Sequence, residues 1–138
     1  MPKLIEIKSS QEPGYHPLIN FESWRVAVSN YGNKDDHPHI DTMGIHDETD
    51  EVFVLLTGKC VLFVAQSLSP DALIEVHPME PGIVYNVKKG VWHARALGPN
   101  ASVLIVENSN TGKENSRTMA LSPQQMTYIR EQGTSFLG

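Results

Sequence analysis

The chain has 138 residues, and 16 acidic against 11 basic side chains give it a formal charge of −5. This acidity, with no basic run longer than two lysines, speaks against nucleic acid and membranes as partners. A single cysteine cannot close an internal disulfide, which excludes a disulfide scaffold and favours a reducing compartment such as the cytoplasm.

Most of the chain has β character. We expect a single domain over residues 1–138, with neither a signal peptide nor a membrane-spanning segment, because the apolar runs are short and broken. Apolar and β-branched residues recur in short segments between turn-forming clusters rich in glycine, proline and asparagine. Residues 109–118 are polar and are expected to form an exposed connection. The pattern predicts an all-β sandwich or barrel with strands at residues 4–7, 24–29, 52–56, 60–65, 73–77, 83–87 and 102–107.

One helix is predicted, at the C-terminal end of the chain. Ser122 is a suitable N-cap, Pro123 fits the first helical position, and Gln125 stands where a capping-box partner reaches back. Gly133 is expected to end the helix. The apolar residues expected to pack against the outside of the barrel are Met126 and Ile129.

A strand–turn–strand unit carries the first group of chemically active residues. His46 closes one strand, Glu51 opens the next, and Gly58 permits the tight turn that follows. By the period of two, Glu51 shares a face with Phe53 and Leu55, so its carboxylate points inward and needs a cation or hydrogen-bond donors. The alternative is a surface position for Glu51 within the surrounding acidic turn.

A second strand–turn–strand unit places His93 in a similar setting. Gly82 turns into the first of its strands, Gly90 turns out of it, and His93 begins the next strand. Lys88 and Lys89 occupy the turn itself. The chain therefore contains two histidines that each flank a glycine-containing or acidic turn between strands.

These two units resemble, in order, the two sequence motifs of the cupin superfamily. The first unit matches the first motif at His46, Glu51 and Gly58, with gaps of four and six residues. The second unit matches the second motif at its two glycines and at His93, with gaps of five and two residues intact. The resemblance implies a cupin double-stranded β-helix, a jelly-roll barrel of two antiparallel sheets, with the predicted short C-terminal helix added.

In cupins, residues at these motif positions bind one divalent metal inside the barrel. The resemblance implies that His46, Glu51 and His93 line one cavity as metal ligands, with Mn, Fe, Ni or Zn as candidate ions. Gly44 stands where cupins carry a further histidine, so three ligands are left, which suits a catalytic site with open positions and also an empty site. The alternative for each histidine is an ordinary, half-buried side chain bonded to the backbone.

Within the cupins, the chain is most similar to the ureidoglycolate lyase group. The similarity covers residues 46–53, where that group has glutamine at the position of Glu51. It also covers residues 86–93, where the group has arginine at the position of Lys89 and the same Val-Trp-His sequence. The group differs at Gly44, where it carries glutamate, which indicates a relative of these enzymes and leaves the substrate open.

The resemblance implies a lyase that releases urea and glyoxylate from ureidoglycolate, or a similar enzyme on a small carboxylated metabolite. His46, Glu51 and His93 would be catalytic, directly or through a metal that lowers the pKa of the substrate hydroxyl. Lys89 would hold the substrate carboxylate if it faces the barrel mouth. The open alternatives are a sugar or keto-acid isomerase and a non-catalytic module that binds or senses a small ligand. Cupins commonly dimerise, so a homodimer is expected.

Three further pairs of residues have both a functional and a structural interpretation. In the functional interpretation, the first pair supplies reserve metal ligands, the second pair consists of arginines that line the cavity and favour an anionic substrate, and the third pair consists of aromatic residues that contact the substrate. The pairs are, in that order, His37 and His39, Arg25 and Arg95, and Tyr85 and Trp92. His16 and His77 are expected at the surface, and Cys60 is expected in the core.

Overall fold

The computed structural model describes residues 4–32 and 39–137, so the reserve ligand His37 lies outside the described residues. Within these ranges the strands form two five-stranded antiparallel sheets, in the orders β1-β2-β9-β4-β7 and β10-β3-β8-β5-β6. The elements are β1 (Gly14–Phe21), β2 (Trp24–Asn30), β3 (Thr42–His46), β4 (Glu51–Thr57), β5 (Cys60–Ala65), β6 (Glu75–Pro78), β7 (Val84–Val87), β8 (Trp92–Leu97), β9 (Ser102–Asn108), β10 (Ser116–Ala120) and α1 (Pro123–Leu137). The predicted all-β architecture is confirmed.

The predicted strands are mostly present, and the strand predicted at residues 4–7 is wrong. That segment belongs to no strand, and its Leu4 is 97% exposed. Apolar residues in a short segment favour an extended chain, but a strand also needs a neighbour with free backbone groups. The expected connection at residues 109–118 is also too long, because β10 begins at Ser116 and pairs with β3.

Apolar side chains fill the space between the two sheets. Their alternation along the strands follows the period of two, as on β4, where Glu51, Phe53 and Leu55 are buried and the residues between them are half-buried. The predicted inward phase of Glu51 is therefore confirmed, and its alternative surface position is wrong. Cys60 is also buried in this core, as expected.

Helix α1 packs on the outer face of the second sheet. Ser122 and Gln125 form the predicted capping box, since the Gln125 N–H donates to Ser122 Oγ and the Ser122 N–H donates to Gln125 Oε1. The helix does not end at Gly133, because Leu137 packs on the same outer cluster as Ile129 and this contact extends the helix past the glycine. Among the described residues, no helix is long and apolar enough to cross a membrane.

Candidate metal centre

Two histidines and a glutamate converge at one end of the barrel interior. Glu51 Oε1 lies 3.0 Å from His46 Nε2 and 2.9 Å from His93 Nε2. His46 ends β3 and His93 lies near the start of β8, two strands that are neighbours in one sheet with Gly44 opposite His93. Glu51 begins β4 in the other sheet and faces them across the interior. The predicted association of these three residues is present.

The remaining ring nitrogen of each histidine is held by a second partner. His46 Nδ1 lies 2.7 Å from Ser116 Oγ, and His93 Nδ1 lies 3.2 Å from the carbonyl oxygen of Val91. These contacts orient each ring so that Nε2 faces the cluster. A carbonyl oxygen only accepts hydrogen bonds, so Nδ1 of His93 must donate, and Nε2 of the neutral ring is then an acceptor facing a carboxylate. The contact between two acceptors needs a proton or a metal ion between them, and a metal ion bound by both atoms would satisfy it.

The electrostatics of the cluster favour an ionised Glu51. Burial by itself raises the pKa of the Glu51 carboxyl, but hydrogen bonds and charge interactions with His46 and His93 outweigh it and hold the pKa well below its usual range. The same hydrogen bond to Glu51 raises the pKa of His46 against the opposing effect of burial. A buried carboxylate is therefore matched by positive charge at this point.

The geometry of the three donor atoms fits a divalent ion. All of them lie within 4.8 Å of one another. Two nitrogen or oxygen ligands at right angles, each about 2.1 Å from a metal, are separated by about 3 Å, which is close to both contacts of Glu51. Two histidines and one carboxylate on one side of an ion leave positions open for substrate or water, a ligand set typical of catalytic metals. The residues present fit such an ion.

A second polar cluster lies beside the first in a cavity of about 740 Å³. Glu107 Oε1 accepts hydrogen bonds from the Tyr15 hydroxyl and from Arg25 Nη2, both at 2.6 Å. Burial and the charge of Glu51 raise the pKa of Glu107, and burial followed by the bond to Glu107 raises the pKa of Tyr15. Val52 pairs with Val106, so Glu51 and Glu107 lie at the same level on neighbouring strands.

The sequence prediction missed Glu107 and Tyr15. Glu107 shares the inward phase of Val103 and Ile105 on β9, which is the signal that identified Glu51 on β4. Tyr15 lies on β1, a strand that the sequence pattern does not predict, so no comparable signal was present.

Arg25 and Arg95, for which the sequence allows either a cavity or a surface position, both line the cavity. Arg25 is bound to Glu107, whereas Arg95 donates from Nε and Nη2 to Ser29 Oγ at 3.3 Å and 3.1 Å. Gly44 and the exposed His39 also line this cavity, although His39 is not part of the triad. The cavity thus combines the triad with two guanidinium groups and a second carboxyl group.

Lys89 does not join these residues. Its side chain is exposed, its N–H donates to Asp50 Oδ1 at 2.9 Å, and it is not among the described residues that line the cavity. Trp92 points to the opposite face of β8 from His93, where the Arg117 guanidinium lies 5.6 Å from its ring centre. Lys89 therefore stabilises this turn through its backbone N–H rather than its side chain, and Trp92 packs outside the barrel.

The remaining predicted residues lie away from the triad. Tyr85 lines a separate cavity of about 790 Å³, as does the exposed His77, which is bound to Glu75. His16 is half-buried and contacts two backbone carbonyl groups, so its expected surface position is only partly correct. The interpretation of Tyr85 as a substrate contact has no link to the triad.

No protein-family model matches the sequence, and no curated protein is significantly similar to it. Solved structures do match. KdgF from Halomonas sp. aligns with a TM-score of 0.55 at 15% identity, over 75% of this chain and 86% of its own. The QdtA 3,4-ketoisomerase from Thermoanaerobacterium thermosaccharolyticum, solved with TDP, gives 0.52 at 17% identity, over 83% and 75%. Pac13 from Streptomyces, solved with uridine, gives 0.58 at 12% identity, over 91% and 98%.

These neighbours are cupin-type barrels. The chain has the cupin-type barrel fold. The expected cupin architecture, inferred from the two motifs, is confirmed. None of the three neighbours is a ureidoglycolate lyase by its printed name, so the narrower similarity depends on the sequence motifs alone.

Proposed function

We propose that this cupin-fold chain is a metal-dependent enzyme that acts on a small carboxylated metabolite inside the barrel. The convergence of His46, Glu51 and His93 on one point carries the proposal. A buried carboxylate between two histidines whose other nitrogens are already bonded is costly without a cation. Such an arrangement is more often a functional site than a structural one.

The triad would hold a divalent ion of the Mn, Fe, Ni or Zn type. When bound, such an ion supplies a Lewis acid that lowers the pKa of a bound hydroxyl or polarises a carbonyl. Ser116 and the Val91 carbonyl keep the two histidine rings in the orientation that binding requires.

Glu107 would move protons within the cavity. Its raised pKa suits a carboxyl group that exchanges a proton with substrate. Tyr15 and Arg25 both donate to Oε1, so Oε2 would be the oxygen that donates or accepts the proton. The two carboxyl groups of the cavity therefore have different tasks, because Glu51 stays ionised while Glu107 holds a proton more readily.

The specific reaction that the sequence motifs favour is release of urea and glyoxylate from ureidoglycolate. This step needs a base for the substrate hydroxyl and an acid for the leaving nitrogen. In this proposal Glu107 and the triad would supply the base and the acid. A second candidate is isomerisation of a sugar or keto acid, favoured by the fold likeness to QdtA, a 3,4-ketoisomerase.

Metal analysis combined with an activity assay tests the proposal. Protein purified without chelator is analysed for its elements, and glyoxylate release from ureidoglycolate is measured with and without added Mn, Ni or Zn. We expect about one equivalent of metal per chain. His93→Ala should lose both metal and turnover, while His77→Ala, an exposed histidine in the other cavity, should keep both.

The outcomes separate the candidates. Metal with turnover of ureidoglycolate supports the lyase. Metal with no turnover of ureidoglycolate, but with turnover in a panel of keto sugars and keto acids, supports the isomerase. Absence of metal under every loading condition, together with absence of turnover, contradicts the proposal and supports a non-catalytic binding module.

A further inference from the structure

Arg25 and Arg95 line the cavity, and of these two arginines Arg25 is paired with a carboxylate among the described residues. Arg25 Nη2 lies 2.6 Å from Glu107 Oε1. Arg95 is half-buried and donates to the hydroxyl of Ser29, from Nε and Nη2. Among the described residues, no carboxylate lies within ion-pair distance of Arg95, and its Nη1 has no hydrogen-bond partner. A half-buried guanidinium normally has an anionic partner.

The other charges that line the cavity do not compensate Arg95. Glu51 is matched by the two histidines of the triad, and Glu107 is matched by Arg25. Asp41 and Lys113 line the cavity with opposite charges, and both are exposed. Arg95 is therefore a half-buried cationic side chain of the cavity that has no carboxylate partner among the described residues.

The position of Arg95 relates this charge to the triad. Arg95 follows His93 by two residues on β8, so the two side chains leave the same face of the strand. Their Cα atoms are separated by about 7 Å, the rise of two residues in a strand. A molecule of a few carbon atoms is long enough to contact the guanidinium at one end and the triad at the other.

We infer that Arg95 binds the carboxylate of the substrate and selects small hydroxy- or keto-carboxylates over neutral molecules of the same shape. The planar guanidinium accepts a carboxylate with two parallel hydrogen bonds. Ser29 is fully buried and fixes the guanidinium through Oγ, while the other substrate oxygen lies toward the triad. This inference rests on the proposed function and transfers the task first given to Lys89 to a residue inside the cavity.

Calorimetric titration of glycolate, a hydroxycarboxylate, against its neutral analogue glycolamide tests the inference. Both probes are titrated into the Mn²⁺-loaded and the metal-free protein. We expect Arg95→Gln to weaken glycolate binding about 10- to 100-fold and to leave glycolamide binding unchanged. Arg95→Lys should lie between the two, because it keeps the charge and loses the planar geometry.

Two further variants separate a binding role from a folding role. Arg117→Gln removes one positive charge outside the cavity, where Arg117 binds Asp47, and should leave glycolate binding unchanged. Ser29→Ala removes the hydroxyl that fixes the guanidinium and should weaken glycolate binding by about threefold to tenfold, with an unchanged circular dichroism spectrum. Equal binding of glycolate by Arg95→Gln and wild type overturns the inference. So does failure of the wild type to bind glycolate, glyoxylate or ureidoglycolate.

Mn²⁺ titration of the same variants distinguishes this inference from the proposed function. Arg95→Gln should bind Mn²⁺ within about twofold of the wild type, because Arg95 is not part of the triad. A wild type that binds no metal but binds glycolate through Arg95 contradicts the metal-dependent enzyme and supports the carboxylate site. A wild type that binds metal, but whose glycolate binding does not depend on Arg95, supports the metal-dependent enzyme and contradicts the carboxylate site.

Discussion

The two ends of the barrel interior are built from the same strands but differ in chemistry. At one end, β4, β8 and β9 supply Glu51, His93 and Glu107. At the other end, the same three strands supply apolar side chains, each four residues from its polar counterpart and buried in the central core. These are Leu55, Leu97 and Val103.

This division separates the functional task from the stabilising one along each strand. Buried ionisable groups cost free energy unless other charges match them, whereas buried apolar groups contribute about 25 cal/mol for each Å² removed from water. We therefore expect variants at the apolar end to lower stability with little effect on metal binding. Variants at the polar end should weaken metal binding with little effect on stability.

The largest expected effect is at the apolar end. Leu97→Ala removes a fully buried side chain from β8 and should lower the free energy of unfolding by about 2–5 kcal/mol, measured by urea denaturation. The folded protein should still bind metal with the stoichiometry of the wild type, because Leu97 lies four residues beyond His93 on β8. A variant that loses metal binding while keeping its stability contradicts the proposed division.

The second prediction concerns the tight turn at the apolar end. Gly58 has a φ of 72°, and a Cβ atom there would lie 2.6 Å from the Cα of Ala101. Gly58→Ala should therefore lose at least about 2 kcal/mol of stability in the same denaturation experiment. Gly82→Ala is the matched control, since Gly82 has a φ of 80° with no atom near its Cβ position. The control isolates backbone strain, and it should cost about 1–2 kcal/mol.

The third prediction concerns the polar end, where Gly44 has no comparable restriction. A Cβ atom at Gly44 would meet only the Arg117 carbonyl oxygen at 3.7 Å, which is an ordinary contact. Gly44 precedes His46 by two residues and lines the cavity, so Gly44→His would add an imidazole beside the triad. We expect metal affinity to rise by roughly 10- to 100-fold in competition with a chelator. Gly44→Ala should leave the affinity unchanged, and an equal gain in both variants would disprove the fourth-ligand explanation.

The inward position of Glu51 was predictable from local signals, whereas the meeting of the three triad residues was expected from the resemblance to the two cupin motifs. The phase of Glu51 with Phe53 places the carboxylate inside, and turn spacing places His46 and His93 at strand ends. These signals act over a few residues, and strand period is a property of the backbone.

Glu107 and its partners show what local signals do not contain. Tyr15 and Glu107 are 92 positions apart in sequence, and they meet because β1, β2 and β9 are neighbours in one sheet. Strand order is set by which edges pair, and no period within a single strand encodes it. Residues 4–7 illustrate the same point. Their sequence pattern is typical of a strand, but no described strand pairs with them.

The helix on the outside of the barrel provides the smallest expected effect and a control for both ends. Ser122→Ala removes one half of the capping box and should lower the free energy of unfolding by about 1 kcal/mol. Thr127→Ala is the matched control, because its hydroxyl bonds to the Pro123 carbonyl inside the helix and its loss should change stability by less than about 0.5 kcal/mol. Metal and glycolate affinity should be unchanged in both variants, since α1 packs on the outer cluster and contributes no residue to the cavity lining. A change in either affinity would show that the polar end depends on packing outside the barrel, and the separation between the two ends would then be incomplete.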